Sequence, residues 1–315
     1  MTQTATVLGA VIPVFGIMVV GLVIRKVGWL TEEADTSLLR VNINLLLPAL
    51  ILDSAFGNPA LAQAGTLALA PVIGFGTTAL GILLAWACRG LTGLKDLPAQ
   101  RTFAVSAGMY NYGFVPAPLT MLMFGSGTVG VLFVHNVGVE IALWTLGVAV
   151  MTGAGIGGAW RKIVNAPLVA ILLALVLNTT GAVPHLPTSL LTGVHWLGQC
   201  AIPMSILLSG AIVADHLHEF HSAHGWRVIA AGMVLRLGVL PLGFLVLARW
   251  LPCSVELKRV IVVQAAMASA LFPIAMAKHY GGDPATALRV VISTSVAGLV
   301  TIPLWMRFGM KFAGL

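Results

Sequence analysis

Charge is what this chain has least of. Only 9% of its 315 residues are Asp, Glu, Lys or Arg, against about 25% in soluble globular domains, which excludes an ordinary water-exposed surface. Cysteine is nearly absent. Cys88, Cys200 and Cys253 are odd in number, unclustered, and set in or beside apolar runs, so neither a disulfide framework nor a cysteine zinc motif is supported. The N-terminus lacks the positive head and small-residue cleavage site of a signal peptide, and its first apolar run is read as a membrane span. Low-complexity tails and polar stretches long enough for a soluble domain are also missing. What remains is apolar. With 58% hydrophobic residues and a mean hydropathy of +0.99, the chain reads as an all-α polytopic membrane protein. The net charge of +7 would suggest nucleic acid in a soluble chain. In a membrane chain it reads as Lys and Arg held in cytoplasmic loops, so no nucleic-acid partner is expected.

Apolar runs long enough to cross a bilayer, about 20 residues each, fall at 5–24, 38–56, 66–88, 102–123, 128–151, 165–183, 189–213, 228–250, 258–280 and 286–306. Ten transmembrane helices are expected, joined by short linkers. Placing the N-terminus outside puts eleven basic residues in the cytoplasm and five outside, with Arg236 inside a span. The bias predicts a cell membrane protein, of the bacterial inner-membrane type, with both termini outside.

The stretch that organises the chain is 108–125, GMYNYGFVPAPLTMLMFG. It is apolar enough for a membrane but cannot be one continuous helix. Gly113 loosens the backbone, and Pro116 and Pro118 each remove a backbone donor beside Asn111 and Tyr112. A break inside hydrocarbon is tolerated only where protein or a water-filled cavity lines it, so a cavity is expected here. The stretch 264–281, QAAMASALFPIAMAKHYG, has the same design around Pro273 and a matching aromatic-Gly end. Further landmarks repeat at a near-constant offset: Pro13 and Pro167 differ by 154, Pro48 and Pro203 by 155, Pro118 and Pro273 by 155, Gly125 and Gly281 by 156. These predict two five-span repeats, 1–151 and 152–315. Because five is odd, the repeats are inverted, with helices 4 and 9 broken.

The run from Asn111 through Gly113, Phe114 and Pro118-Leu119 to Phe124-Gly125 resembles the N-x-G-F-x-x-x-P-L…F-G signature of the auxin efflux carrier family. Leu47-Pro48-Ala49-Leu50, Asn165-Ala166-Pro167-Leu168 with Leu177-Asn178, and Tyr280-Gly281-Gly282-Asp283-Pro284 resemble its motifs elsewhere, so the likeness covers essentially the whole chain. It implies secondary transport of organic anions, crossing of spans 4 and 9 at unwound centres, a scaffold of spans 1, 2, 6 and 7, and a transport domain of spans 3–5 and 8–10. Pro116 departs from the family pattern, which more often has glycine, and should stiffen the crossover. Plant members carry charges in the third span, whereas 65–88 has none, which argues against auxin itself as the substrate.

Two broken antiparallel helices bring half-helix N-termini together at mid-membrane, each equivalent to about half a positive charge, and this favours an anion. The expected substrate-binding residues are Asn111, Tyr112, Gly113, Pro116, Pro118, Gln264, Ser269 and Pro273. The half-helices after Pro118 and Pro273 supply N–H groups, and the Asn111 amide fixes orientation or else caps its own half-helix. His135 and Asn136 are lesser candidates, while Asn42 and Asn44 are expected to bond across helices. Glu140 and Arg236, the charged residues deep in spans 5 and 8, lie at matching depths, about 18 Å from the outer face at 1.5 Å per residue. They are expected to form an ion pair that a substrate carboxylate or a proton on Glu140 would open, unless Arg236 snorkels to the surface. The run 216–224 holds four histidines but misses H-E-x-x-H, so it is read as a solvated loop. The alternative is a metal-binding or pH-sensing loop. No cofactor and no metal is expected.

These readings point to a secondary active transporter moving a mono- or dicarboxylate by alternating access. The alternatives are an intramembrane enzyme or a non-transporting sensor. An enzyme would need G-x-S-x-G, H-E-x-x-H or an equivalent set, and neither motif occurs. Expected partners are the carboxylate, a coupling proton or sodium ion, the lipid bilayer, and a second copy joined through the scaffold.

Overall fold

A computed structural model describes residues 3–154, 159–216 and 225–315. Apart from the backbone of His216, the histidine-rich run lies outside the described residues. The described residues form helices joined by short non-helical links, with one isolated β-bridge. The helices are α1 (Gln3–Lys26), α2 (Glu32–Ala55), α3 (Ala64–Ala87), α4 (Leu97–Gly108), α5 (Pro116–Phe124), α6 (Ser126–Thr152), α7 (Ala166–Thr179), α8 (Thr188–His216), α9 (Trp226–Trp250), α10 (Val255–Ala266), α11 (Phe272–His279) and α12 (Pro284–Ala313).

By length and composition, seven of these helices can cross a membrane: α1, α2, α3, α6, α8, α9 and α12. Their outward faces suit that solvent, since Val19, Leu83, Val246 and Val300 all stand exposed. The other three apolar runs differ from simple spans. The expected run 165–183 yields the shorter α7, which Asn165 starts by accepting the Leu168 N–H and which ends before Gly181 at positive φ. The runs 102–123 and 258–280 are each split, into α4 with α5 and into α10 with α11. The prolines sit where each second half begins, Pro116 and Pro118 in the first turn of α5 and Pro273 in that of α11. There the missing N–H costs little.

Packing is closest where glycines let backbones touch. A Cβ on Gly21 or Gly210 would collide with the facing carbonyl of Leu207 or Met18, so α1 and α8 are in backbone contact. Gly74 and Gly138 bring α3 against α6 in the same way, at the carbonyls of His135 and Pro71, and Gly81 and Gly108 bring α3 against α4. α2 packs between α7 and α8, whereas α9, α10 and α12 pack on one another and α12 also on α4. Asn178 ties α7 to the end of α2, accepting the Gly57 N–H at 3.0 Å and donating to the Ala55 carbonyl at 2.7 Å. Of the two scaffold asparagines, Asn42 does bond across helices, to Ser205 at 2.8 Å. Asn44 instead donates to Arg40 one turn back on its own helix.

Gly138→Ala should therefore lower thermal stability in detergent, by about 1–3 kcal/mol or more as an overpacked contact. Gly76→Ala, where a Cβ meets open space, should be neutral or gain up to about 1 kcal/mol from helix propensity.

Candidate functional site: the helix crossover

Between α4 and α5 the chain runs extended, and between α10 and α11 it does so again. The two extended segments pair antiparallel through the bridge Tyr110–Ser269. The Asn111 N–H donates to the Ala268 carbonyl at 2.8 Å, and the Ala270 N–H to the Met109 carbonyl at 3.0 Å. Each break thus satisfies the other's backbone groups, as hydrocarbon demands. The expected juxtaposition of 108–125 and 264–281 is present, although protein rather than a cavity closes much of the gap.

In an extended segment, successive side chains point to opposite faces, and this sorts the residues of the crossover. Tyr110 and Tyr112 enter the packed interior. The Thr77 hydroxyl donates to the Ile73 carbonyl, so the Tyr110 hydroxyl, 3.0 Å away, donates to Thr77 Oγ1. Tyr112 is held at both ends. Its carbonyl accepts from Asn136 Nδ2 at 2.7 Å and Gln264 Nε2 at 3.4 Å, and its hydroxyl donates to Glu140 Oε1 at 2.7 Å. Gln264 also donates to Asn136 Oδ1 at 3.1 Å. Tyr112 and Gln264 therefore serve as fasteners of the crossover. Asn111 faces the other way, into a cleft lined with Phe15, Met18, Ser209, Val213 and Ser295. Its Oδ1 is 3.4 Å from the Gly113 N–H. The water-accessible volume of the cleft is about 30 Å³, room for one or two waters and too little for a carboxylic acid in this conformation.

The half-helix N-termini differ from expectation. In α5, Pro116 and Pro118 have no N–H, while Ala117 and Leu119 donate to the carbonyls of Gly113 and Val115. In α11, Pro273 has none and Ile274 donates to Leu271. The donors expected after Pro118 and Pro273 are thus largely used within the chain, and what α5 and α11 offer an anion is mainly their dipoles. The Ser269 N–H donates to Thr294 Oγ1 at 3.2 Å, and the Ser269 hydroxyl is buried with no hydrogen-bond partner among the described residues.

The ion pair expected between Glu140 and Arg236 is not formed. Glu140 accepts from Tyr112 at one oxygen and from Trp144 Nε1, at 2.8 Å, at the other. Arg236 is fully buried, which also excludes snorkelling. Its guanidinium lies 5.4 Å from the Tyr110 ring centre and 5.3 Å from that of Phe244, and none of its three nitrogens has a hydrogen-bond partner among the described residues. Similar depth on two helices does not pair these charges, because separate neighbours take each of them.

His135 and Asn136, ranked low from the sequence, are buried beside the crossover, 3.4 Å apart through Nδ1 and Oδ1. Trp144 was missed, though its i,i+4 spacing from Glu140 on one helix face was a usable signal. The cleft residues on α1, α8 and α12 were missed as well, since nothing in their local sequence marks them.

The family model described as "Membrane transport protein" matches residues 6–159 and 156–306. The chain belongs to that family, the auxin efflux carrier family which its motifs resemble. An uncharacterized transporter of Methanothermobacter thermautotrophicus is 29% identical over 97% of this chain and 98% of its own length. A second uncharacterized transporter, from Methanocaldococcus jannaschii, is 23% identical over 92% and 94%. The protein is a multi-pass membrane protein of a transporter family, and neither the family nor these relatives point to catalysis.

Asn136→Ala leaves the Tyr112 carbonyl and the Gln264 amide only their 3.4 Å bond to each other, and should cost about 1–3 kcal/mol of stability. Asn111→Ala, at the edge of a cleft, should stay within about 0.5 kcal/mol. Thermal unfolding of the two variants side by side reads the difference.

Proposed function

We propose that this protein is a secondary transporter that carries a small organic anion, a mono- or dicarboxylate, by alternating access. The observation that carries this reading is the crossing of two broken helices beside a cleft, with Asn111 on the cleft side and an unneutralised guanidinium behind. Arg236 sits in a low-dielectric interior on the far side of the crossover strand, where its field is weakly screened. Together with the dipoles of α5 and α11, it favours a negatively charged guest over a neutral or cationic one.

In this reading the chain is ten spans in two inverted repeats, 1–151 and 152–315. The mutual packing of α1, α2, α7 and α8 supports a scaffold, and that of α3–α6 with α9–α12 a moving domain. The cleft lies between the two groups, lined from α1 and α8 on one side and by the crossover and α12 on the other, where a substrate at a moving interface should bind. The small volume of the cleft fits a closed stage of the cycle. The membrane is the cell membrane with both termini outside, and a second copy docks through the scaffold.

Proteoliposomes should take up labelled mono- or dicarboxylates, and a thermal-shift panel of the same acids should show stabilisation of roughly 2.7 kcal/mol at 100 times the dissociation constant. If no acid stabilises the protein or enters the vesicles, the anion reading fails. Charges about 10 Å apart at an effective dielectric of about 20 interact by roughly 1.7 kcal/mol, so Arg236→Met should weaken binding of the stabilising acid by at least about tenfold. Arg236→Lys should retain most of the affinity. For topology, a reporter in the turn at Gly93 should read as cytoplasmic and one fused after Leu315 as external.

A further inference from the structure

Glu140 is a carboxylate set deep in a span with donors at both oxygens and no cation. One donor is the hydroxyl of Tyr112, a residue of the crossover, and the other is the indole of Trp144. No ion pair reaches Glu140 among the described residues. The charged and titratable groups on the elements packed around α6 are otherwise engaged. Lys162 lies 5.2 Å from the Trp144 ring centre and donates to the Tyr280 hydroxyl at 3.1 Å. Arg101 donates to the Thr152 carbonyl at the far end of α6. Arg259 lies over the Phe124 ring, and Asp53 pairs with His195. His135, on α6 itself, has its Nδ1 against Asn136. α3 and α5 carry no titratable side chain.

We propose that Glu140 is the coupling-proton site of this carrier, and that a proton bound there loosens the hold on Tyr112 and so releases the crossover to move. This rests on the transport reading and specifies its coupling ion. An indole nitrogen can only donate, so the oxygen facing Trp144 stays committed to accepting. The Tyr112 hydroxyl can donate or accept, and can turn to receive a proton taken up on the oxygen that it faces. A charge-assisted hydrogen bond, about twice as strong as a neutral one, becomes a neutral one. The other end of Tyr112 is pinned through its carbonyl to Asn136 and Gln264, so the hydroxyl is the end that one proton can free. The same proton removes an uncompensated negative charge from a span, where such a charge is costly. With one substrate carboxylate set against Arg236, the two charged sites buried at the centre of the moving body are then balanced.

Two measurements without substrate test this. In the first, protein in lipid nanodiscs is titrated between about pH 4 and 9 while tryptophan emission is followed. Wild type should show a transition that is lost in both Glu140→Gln and Trp144→Phe, and that moves to higher pH in Tyr112→Phe, where the carboxylate loses a donor. In the second, Ser295→Cys is placed in the cleft of a chain whose native cysteines are serine, and its rate of labelling by a permeant maleimide is read against pH. Labelling should accelerate in acid and become pH-independent when Glu140→Gln is added. A transition that persists unchanged in Glu140→Gln, or acid-accelerated labelling that survives that substitution, overturns the proposal. Failure of transport itself shows separately, as absent uptake of labelled succinate and of the other acids of the panel by wild type.

Discussion

The structure depends on a short backbone ladder in the middle of an otherwise helical protein. Two hydrogen bonds, Asn111 N–H to Ala268 and Ala270 N–H to Met109, join segments that each lost their own helical partners. Either break alone would leave polar groups in hydrocarbon at several kcal/mol each. Together they form a knot of extended chain that α3, α6, α10 and α12 must surround. Glycine contacts between α3 and α6 and between α3 and α4, the hydroxyls of Thr77 and Thr78 at the Tyr110 hydroxyl, and the Asn136–Gln264 bridge all serve to hold it. The crossover is thus an object with two faces. One is packed and hydrogen-bonded, and the other opens on the cleft.

Much of this was legible in the chain itself. Hydropathy located the seven helices long and apolar enough to cross a membrane, and the two stretches that break, because long apolar windows in a nearly uncharged chain have few competing readings. Pro13, Pro48, Pro71, Pro203, Pro241 and Pro303 lie inside continuous helices, so proline alone does not mark a break. The two broken stretches could be singled out because proline came with glycine and asparagine in one and recurred at a fixed offset in the other. The direction of side chains at the crossover was not legible. An extended segment gives neighbours opposite faces, so Asn111 and Tyr112 could not share one role, and only the pairing register decides which of them faces the cleft. The Glu140–Arg236 pairing failed for a related reason. Depth along a helix can be counted from sequence, but rotation about its axis cannot when every face is apolar.

The buried charges show how the protein handles polarity where water is scarce. Glu140 is satisfied by neutral donors, while Arg236 rests against aromatic faces and keeps its donors unused. Arg25, by contrast, sits at a helix end and bonds Asp35 at 2.5 Å and Asp215 at 3.2 Å, linking α1 to the start of α2 and the end of α8. Full neutralisation at the periphery and incomplete neutralisation at the centre separate charges that hold the fold from charges available to a guest.

The short α7 has a consequence for the surrounding lipid. At 1.5 Å per residue its 14 residues span about 21 Å, some 9 Å less than a typical hydrocarbon core. Its outer face of Val169, Leu172, Leu173 and Val176 is exposed. In the ten-span reading, acyl chains against that face meet a lower apolar wall than those against α3 or α12, and the shortfall is met by local thinning of the bilayer or by a second copy that covers the face. Membrane thickness would then act on this flank of the molecule before any other.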